Sequence, residues 1–409
     1  MKTKSLILGF AGLLSLSSCQ KEEVTLQNED FTQSIGSYSH LDLIDSTLTD
    51  NGLRAAFEKD YLWQNGQTVG IKIANGTDTY KKLVKEALFE WMAYVNINFR
   101  IVSNDQSVSY PCITISFENG PSPYELRGTT RGLGKNATSI RFVGFESNKI
   151  SKEVKYGTIL HELGHALGMV HEHQSPNSPI SWNANAIFKD YRKMAIYNSL
   201  SDNELRNIIA VNVTEKYLTS EVSATSYDEN SLMMYDFPSS WTTNGKSGHS
   251  NFNLSTLDKS KASQMYPYNG TKRFYRCYLN GMRAHFYTAN FAELKDQNYT
   301  QDIESTMGKI HDSQVSGTTK LHRYFNGRDH FYTTDYNELG AGKYGYKYEG
   351  CAGYVYTSAK TGLIPVYRYY STYSDNNTHF YTTNFNELGY GKEKNGFKYE
   401  RIAFYILPN

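Results

Sequence analysis

His161-Glu162-Leu163-Gly164-His165-Ala166-Leu167-Gly168-Met169-Val170-His171-Glu172 sets three imidazoles and a carboxylate at spacings that one metal ion can use. On an α-helix, residues four apart share a face, so His161 and His165 can offer ring nitrogens to one ion with Glu162 beside them. A helix running straight on would carry His171 away. Gly168 can take a left-handed conformation at no steric cost, end the helix and turn the chain back, which lets His171 complete the set. Three protein ligands suit a zinc ion that keeps a position open for water, whose pKa the metal lowers towards ~7, and Glu162 is placed to take the proton as that water attacks a carbonyl. The pattern predicts peptide hydrolysis, with one Zn2+ as cofactor and Glu162 as general base. A bare His-Glu-x-x-His also fits a helix that carries surface histidines; the third histidine argues against that.

His-Glu-x-x-His-x-x-Gly-x-x-His is the metzincin signature, which also calls for a methionine turn further on. Ser231-Leu232-Met233-Met234-Tyr235 supplies a candidate, although Met233 taken alone reads as ordinary core. Glu172 directly after the third histidine, the continuation His173-Gln174 and the Ser-x-Met-x-Tyr pattern resemble the astacin family of metzincin zinc endopeptidases. The resemblance spans roughly residues 55–268, from Tyr61-Leu62-Trp63 and Gly66 to Leu254-Ser255-Thr256-Leu257-Asp258 and Met265-Tyr266. It implies that Met233 lies under the zinc and that Tyr235 is a further ligand which swings away to stabilise the oxyanion. In such enzymes the strand matching Thr138–Val143 is a sheet edge that pairs with extended substrate. The run Gln174-Ser175-Pro176-Asn177-Ser178-Pro179 departs from the family, where a basic residue commonly follows the histidine pair, and this leaves subsite preference open.

The 409 residues exceed one core and predict two or three domains. A net charge of +1 predicts no nucleic-acid partner, and 39% hydrophobic content fits a globular chain. Met1-Lys2-Thr3-Lys4 followed by the apolar run Ser5–Leu16 reads as a secretory signal, too short for a permanent membrane span. Leu16-Ser17-Ser18-Cys19 resembles a bacterial lipobox, which makes Cys19 a lipidated N-terminus and the only membrane contact; the alternative is an ordinary secretory signal with an incidental cysteine. Gln20-Lys21-Glu22-Glu23 resembles the acidic tag that sends Bacteroidota lipoproteins to the outer face of the outer membrane. The expectation is an exported outer-membrane lipoprotein at the cell surface, released if it is processed.

Residues 20–54 are polar and read as tether and pro-segment. The family resemblance places processing between Arg54 and Ala55, with Ala55 as the mature N-terminus. The Phe-x-Gly-Asp latch of astacin pro-segments is missing before Arg54, so Asp42, Asp45 and Asp50 stand as unranked candidates for capping zinc. Without Cys19 the cysteines are Cys112, Cys277 and Cys351, so at most one disulfide forms, with Cys277 and Cys351 as one pairing.

The catalytic part reads as α+β. Apolar residues at Leu83, Val84, Ala87, Leu88, Trp91 and Val95 predict a helix over 79–95, capped by Thr77 or Asp78. Thr68–Ile73, Ile97–Val102, Cys112–Phe117 and Thr138–Val143 predict the sheet that this helix backs. A helix over 151–167 carries the first two histidines, and another is expected near Ala184–Tyr197, followed by a polar stretch up to Tyr227.

Beyond Tyr268 the chain repeats itself. His285-Phe286-Tyr287-Thr288, His330-Phe331-Tyr332-Thr333 and His379-Phe380-Tyr381-Thr382 recur, each with a glutamate (Glu293, Glu338, Glu387) eight positions after the histidine. Arg276, Arg323 and Arg368 precede them and Glu304, Glu349 and Glu400 close them. Single units of this size cannot bury a face, so residues 271–409 are expected to close into an all-β pseudo-threefold domain, trefoil-like or a small propeller. The repeated Arg, His and Glu fit either three equivalent pockets or an internal polar network. Exposed tyrosines on such a module suit glycans or a matrix glycoprotein as partners. Two functions from different classes follow: a zinc endopeptidase acting on protein or peptide substrates, or a surface adhesin whose protease domain is inactive or secondary.

Overall fold

A computed structural model of the chain describes residues 56–194, 197–224, 226–371, 377–390 and 396–409. The chain divides into two compact units, the first ending at Tyr266 and the second running Pro267–Asn409. Among the described residues no helix is long and apolar enough to cross a membrane.

In the first unit β1 (Ala56–Phe57) is followed by β2 (Thr68–Ile73), α1 (Asp78–Tyr94), β3 (Asn98–Val102), β4 (Cys112–Glu118), β5 (Arg127–Arg131), β6 (Ser139–Val143), α2 (Lys152–Ala166) and β7 (Met169–Val170). Then come α3 (Ala184–Tyr191), α4 (Asp202–Ile209) and α5 (Thr256–Met265). The sheet runs β3-β2-β4-β6-β5, parallel except for the last pair. Val69, Ile71, Ile113, Ile115 and Ile140 are fully buried on its strands, and the apolar stripe of α1 (Val84, Ala87, Trp91) is buried as well. Thr77 caps α1 by accepting from the Tyr80 N–H, and Ser151 caps α2 by accepting from the Val154 N–H. The Trp91 indole N–H donates to the Leu160 carbonyl at 2.9 Å, tying α1 to the helix that carries the first two histidines.

Three expectations for this unit are corrected. The strand at Ser139–Val143 is not the sheet edge; β5 pairs outside it and is the edge. Arg127-Gly128-Thr129-Thr130-Arg131 has charged ends, a glycine and no apolar alternation, so it reads as loop, and it is held as a strand by pairing with β6. The helix starting at Ala184 stops at Tyr191 rather than Tyr197: Arg192 donates to the carbonyls of Tyr197 at 2.8 Å and Leu200 at 2.9 Å, and Tyr197 folds back to stack on Tyr191 at 5.3 Å. The stretch read as polar holds α4, which opens with a capping box between Ser201 and Glu204.

The second unit contains β8 (Thr271–Leu279), β9 (Ala284–Thr288), α6 (Phe291–Asp296), β10 (Ile303–His311), β11 (Thr318–Phe325), β12 (His330–Thr333), β13 (Lys347–Tyr356), β14 (Ile364–Ser371), β15 (His379–Thr382) and β16 (Phe397–Ile406). Each set of three strands is antiparallel, with a long strand between a short one and a second long one: β9-β8-β10, β12-β11-β13 and β15-β14-β16. Bridges His311↔Tyr354, Tyr356↔Tyr405 and Lys309↔Leu407 join the three closing strands to one another.

At the centre, Tyr287, Tyr332 and Tyr381 are almost wholly buried and bonded in a ring. The Tyr332 hydroxyl donates to the Tyr287 carbonyl at 2.6 Å and accepts from its N–H at 2.9 Å. Tyr381 does the same to Tyr332 at 2.8 and 2.9 Å, and Tyr287 to Tyr381 at 2.9 and 2.7 Å. Taking away one hydroxyl strands a buried N–H and C=O at a cost of about 1–3 kcal/mol for each.

Within this second unit the charged residues of the three repeats, each repeat a unit of the ring, contact each other. Arg276 reaches Glu304 of its own unit at 2.9 Å and Glu387 of the third at 3.1 Å. Arg323 joins Glu349 and Glu293, and Arg368 joins Glu400 and Glu338, in the same sense around the ring. Each guanidinium also lies over the phenylalanine of the neighbouring His-Phe-Tyr-Thr, 4.8–5.3 Å from its centroid. Of the two readings of these residues, the internal network is the one their contacts display.

Cys277 and Cys351 do not pair. Neither forms a disulfide, nor does Cys112: Cys277 is buried in β8 opposite Phe286 and Ile303, whereas Cys351 is exposed in β13 opposite His322, in a different repeat.

Candidate active site

The helix α2 places His161 and His165 one turn apart on one buried face, with ring centroids 4.7 Å from each other. Past its end Gly168 takes φ +96 and its N–H donates to the His165 carbonyl at 2.9 Å, which reverses the chain into β7. β7 pairs with β1, and His171 follows it directly. The His171 ring then lies 4.9 Å from that of His165 and 5.3 Å from that of His161. One ligating nitrogen from each of the three comes within 4.8 Å of the others, and the Nε2 atoms of His161 and His171 are 3.3 Å apart.

Two further observations fit this cluster to a metal ion. The Nδ1 atoms of His161 and His165 lie 2.9 Å from the Leu232 carbonyl and 2.8 Å from the Met169 carbonyl. A carbonyl only accepts, so each Nδ1 carries the proton and each Nε2 presents a lone pair to the centre of the cluster, the arrangement usual for metal-bound imidazoles. Burial also pushes the pKa of His161 down to about 4, the Leu232 carbonyl opposing, so this imidazole is neutral as a ligand must be.

Below the cluster sits the turn Ser231-Leu232-Met233-Met234. Asp258 of α5 accepts from Ser231 Oγ at 2.7 Å and from the Leu232 N–H at 2.8 Å, and the Met233 carbonyl accepts from the Glu172 N–H at 2.9 Å. Met233 is buried, and its sulfur packs so close to α2 that a Cβ on Gly164 would lie 2.9 Å from it. Glycine at this point of the helix thus makes room for the methionine.

Glu162 is fully buried beside the histidines, and Thr130 Oγ1 of β5 donates to its Oε2 at 2.7 Å. The ring of Tyr235 lies 5.8 Å from that of His171 and 4.8 Å from that of His173. Burial raises the pKa of Tyr235, a hydrogen bond with Tyr191 opposing. His173 is itself buried, with Nε2 3.2 Å from the Asn212 carbonyl and its pKa pushed by burial down to about 3.

Glu172 is buried and lines a small cleft with Val170, Asp228, Leu257, Asp258 and Lys261. Its Oε1 accepts from the Asp228 N–H at 3.0 Å, while burial, aided by Asp258 and Asp228, pushes its pKa up to about 8. Lys261 sends its ammonium to Ser223 Oγ at 2.7 Å and Gln264 Oε1 at 2.8 Å. Cys19, Arg54 and Ala55 lie outside the described residues.

His161, His165 and His171 therefore converge, with Met233 packed against α2 and Tyr235 against His171, while Glu172 follows His171 but turns toward Asp228. Sequence reasoning missed Thr130, Tyr191 and Asp258. Asp258 had a signal, since Ser255-Thr256-Leu257-Asp258 reads as a helix start; nothing local marks the other two.

A family model described as a domain of unknown function, DUF5648, matches residues 259–407. Astacin-like metalloprotease toxin 1 of Loxosceles intermedia is 30% identical over 120 residues, 27% of this chain and 36% of that protein. Astacin-like metalloprotease toxin 5 of Loxosceles gaucho is 31% identical over 120 residues, 27% of this chain and 52% of that protein. The chain thus spans between about a third and a half of the length of the curated relatives it matches. Among solved structures, myroilysin is 30% identical over 52% of this chain and 98% of that one, with a TM-score of 0.43. The likeness to astacin-like metalloproteases supports a metalloprotease-type domain of the astacin and metzincin kind in this chain.

Proposed function

We propose that residues 55–268 form a zinc metalloendopeptidase of astacin type that hydrolyses internal peptide bonds of protein or peptide substrates. The observation that carries this reading is the convergence of three buried imidazoles, two of them held by backbone carbonyls, beside a buried glutamate on one helix. His161, His165 and His171 would hold the ion. Zinc bound there supplies Lewis-acid polarisation of a carbonyl and makes water a nucleophile near neutral pH. Glu162 takes the proton of the attacking water and returns it to the leaving amine. Tyr235 donates a hydrogen bond to the substrate oxygen as charge builds on it. The edge strand β5 offers its outer N–H and C=O groups to an extended peptide.

The test is metal analysis combined with casein hydrolysis. One zinc per chain, activity lost on chelation and regained with added zinc, is the expected result. A chain that cleaves casein as fast when metal-free refutes the reading.

The N-terminal signal, the lipid on Cys19, an outer-membrane location and release on processing after Arg54 complete the proposal for the first unit. For the second we propose a closed threefold domain that holds the protease near glycans or a matrix glycoprotein. Support comes from the threefold repetition, since weak contacts presented more than once add by avidity, and from exposed Tyr336, Tyr344 and Tyr390, which suit stacking on sugar rings. Residues 271–409 alone should bind on glycan or matrix arrays, and protease truncated after Tyr268 should degrade intact glycoproteins more slowly than the full chain. Equal rates, with the isolated repeats binding nothing, would leave the repeats a spacer.

A further inference from the structure

The edge strand β5 also reaches into the catalytic cluster. Thr130 Oγ1 lies 2.7 Å from Glu162 Oε2 and 3.0 Å from the Glu162 carbonyl oxygen, and both residues are fully buried. A hydroxyl has a single proton to give, and the shorter contact goes to the carboxylate, the better acceptor of the two when it is charged. The carbonyl is the weaker second partner.

Gly128 stands two residues earlier, on the same face of the strand. A Cβ there would lie 2.5 Å from Cγ, 2.6 Å from Oε1 and 2.8 Å from Cδ of Glu162. The backbone at Gly128 is not in the left-handed region, so the conformation does not demand glycine; the space does. Gly128 thus leaves the carboxylate its place, and Thr130 binds it there.

The last torsion of a glutamate is broad and two-fold, so an unheld carboxylate samples several orientations. Proton transfer requires the base within hydrogen-bond reach of the proton it takes. We propose that Thr130 is a positioning residue, which by its hydroxyl locks the Glu162 carboxylate in the orientation needed for proton transfer. The strand that receives the peptide backbone then also fixes the base, so substrate and base share one rigid reference. This inference rests on Glu162 being the general base.

Thr130→Val keeps the branched shape suited to a strand and loses the hydroxyl; Thr130→Ser keeps the hydroxyl. In the full zinc-loaded chain, Thr130→Val should lower kcat roughly tenfold with KM changed by less than about twofold, the pattern of an interaction used in the chemical step. Thr130→Ser should recover kcat to within about threefold of wild type, since the hydrogen bond is restored. Gly128→Ala, which pushes the carboxylate aside with Thr130 intact, should lower kcat at least as far. Crystal structures of the metal-free proteins give a readout apart from activity: one Glu162 orientation in wild type, and a shifted or divided one in Thr130→Val.

The proposal is overturned if Thr130→Val turns over at the wild-type kcat, if Thr130→Ser is impaired equally, or if Glu162 keeps its orientation in the Thr130→Val crystal. A loss of thermal stability in Thr130→Val with kcat per folded molecule unchanged also overturns it, because the bond then only straps β5 to α2. Wild-type protein that carries zinc and cleaves no peptide removes the general-base reading and this inference with it. An active wild type, an inactive Glu162→Gln and an unimpaired Thr130→Val remove the Thr130 role alone.

Discussion

Glu162→Gln should hold one zinc per chain and hydrolyse casein at least ~10²–10⁴-fold more slowly than wild type, the loss expected when a general base is removed. Glutamine has nearly the shape of glutamate, and the nitrogens proposed to hold the metal belong to His161, His165 and His171, so zinc content should not change. The amide can still accept the Thr130 hydrogen bond, but it cannot take a proton. Folding is expected to survive because the change puts a neutral group in a fully buried position. Tyr235→Phe should behave differently: the ring keeps its packing against His171 and His173, and the lost hydroxyl lowers kcat with little change in KM. The checks are zinc by atomic absorption, melting temperature and steady-state kinetics on one peptide. Wild-type turnover by a fully metallated Glu162→Gln protein would sink the assignment of the base.

What the chain discloses about this site follows how local each interaction is. His161 and His165 are placed by helix geometry alone, and Gly168 is read from the need for a reversal, so the three histidines are legible within eleven residues. Met233 is legible through its pattern, though the reason it fits, the missing side chain of Gly164, lies in another element. Thr130 is not legible, because its partner Glu162 is 32 positions away and its strand lacks the alternation that marks strands. For the same reason the sheet edge is misread one strand inward: β6 has the better strand sequence, and only pairing shows that β5 lies outside it.

In the repeats, the recurrence of Arg, His and Glu is plain, but the pairing is not. Each arginine takes one glutamate from its own unit and one from a neighbour, and nothing in a single repeat says which neighbour. The tyrosine of each His-Phe-Tyr-Thr looks like ordinary core, yet its hydroxyl closes the backbone bonds of the preceding repeat around the ring. Both rings of interactions need all three units, so a stretch that reads as three similar pieces behaves energetically as one.

The active species should begin at Ala55, and chains retaining residues 20–54 should be at least about tenfold less active, because the cation that favours the charged form of buried Glu172 is then missing. The prediction starts from β1, whose register sets Ala56 opposite Val170 and Phe57 opposite Met169. Val170 stands two positions before Glu172, and a mature N-terminus at Ala55 is proposed to reach that carboxylate. Glu172 is a buried carboxylate among two other acids, its pKa is pushed up to about 8 by that burial, and Lys261 bonds Ser223 and Gln264. A cation delivered there stabilises it, and cleavage after Arg54 creates one, the α-ammonium of Ala55. In an uncut chain the Ala55 nitrogen is a neutral amide. Because Glu172 is joined to Met233 through its N–H and follows His171 directly, a change in its pairing should be felt at the histidine cluster. The alternative role for Glu172, capping the turn after His171, needs no processing. Mass-spectrometric sequencing of the active protein should find Ala55 first, with Arg54→Ala and Glu172→Gln both impaired and not additive. Processing at this bond also cuts the link to a lipid on Cys19, so active enzyme should appear in the medium rather than on the cell. Full activity in a chain that still carries the Cys19 lipid and residues 20–54 would refute the activation step, and Glu172 would then be a cap.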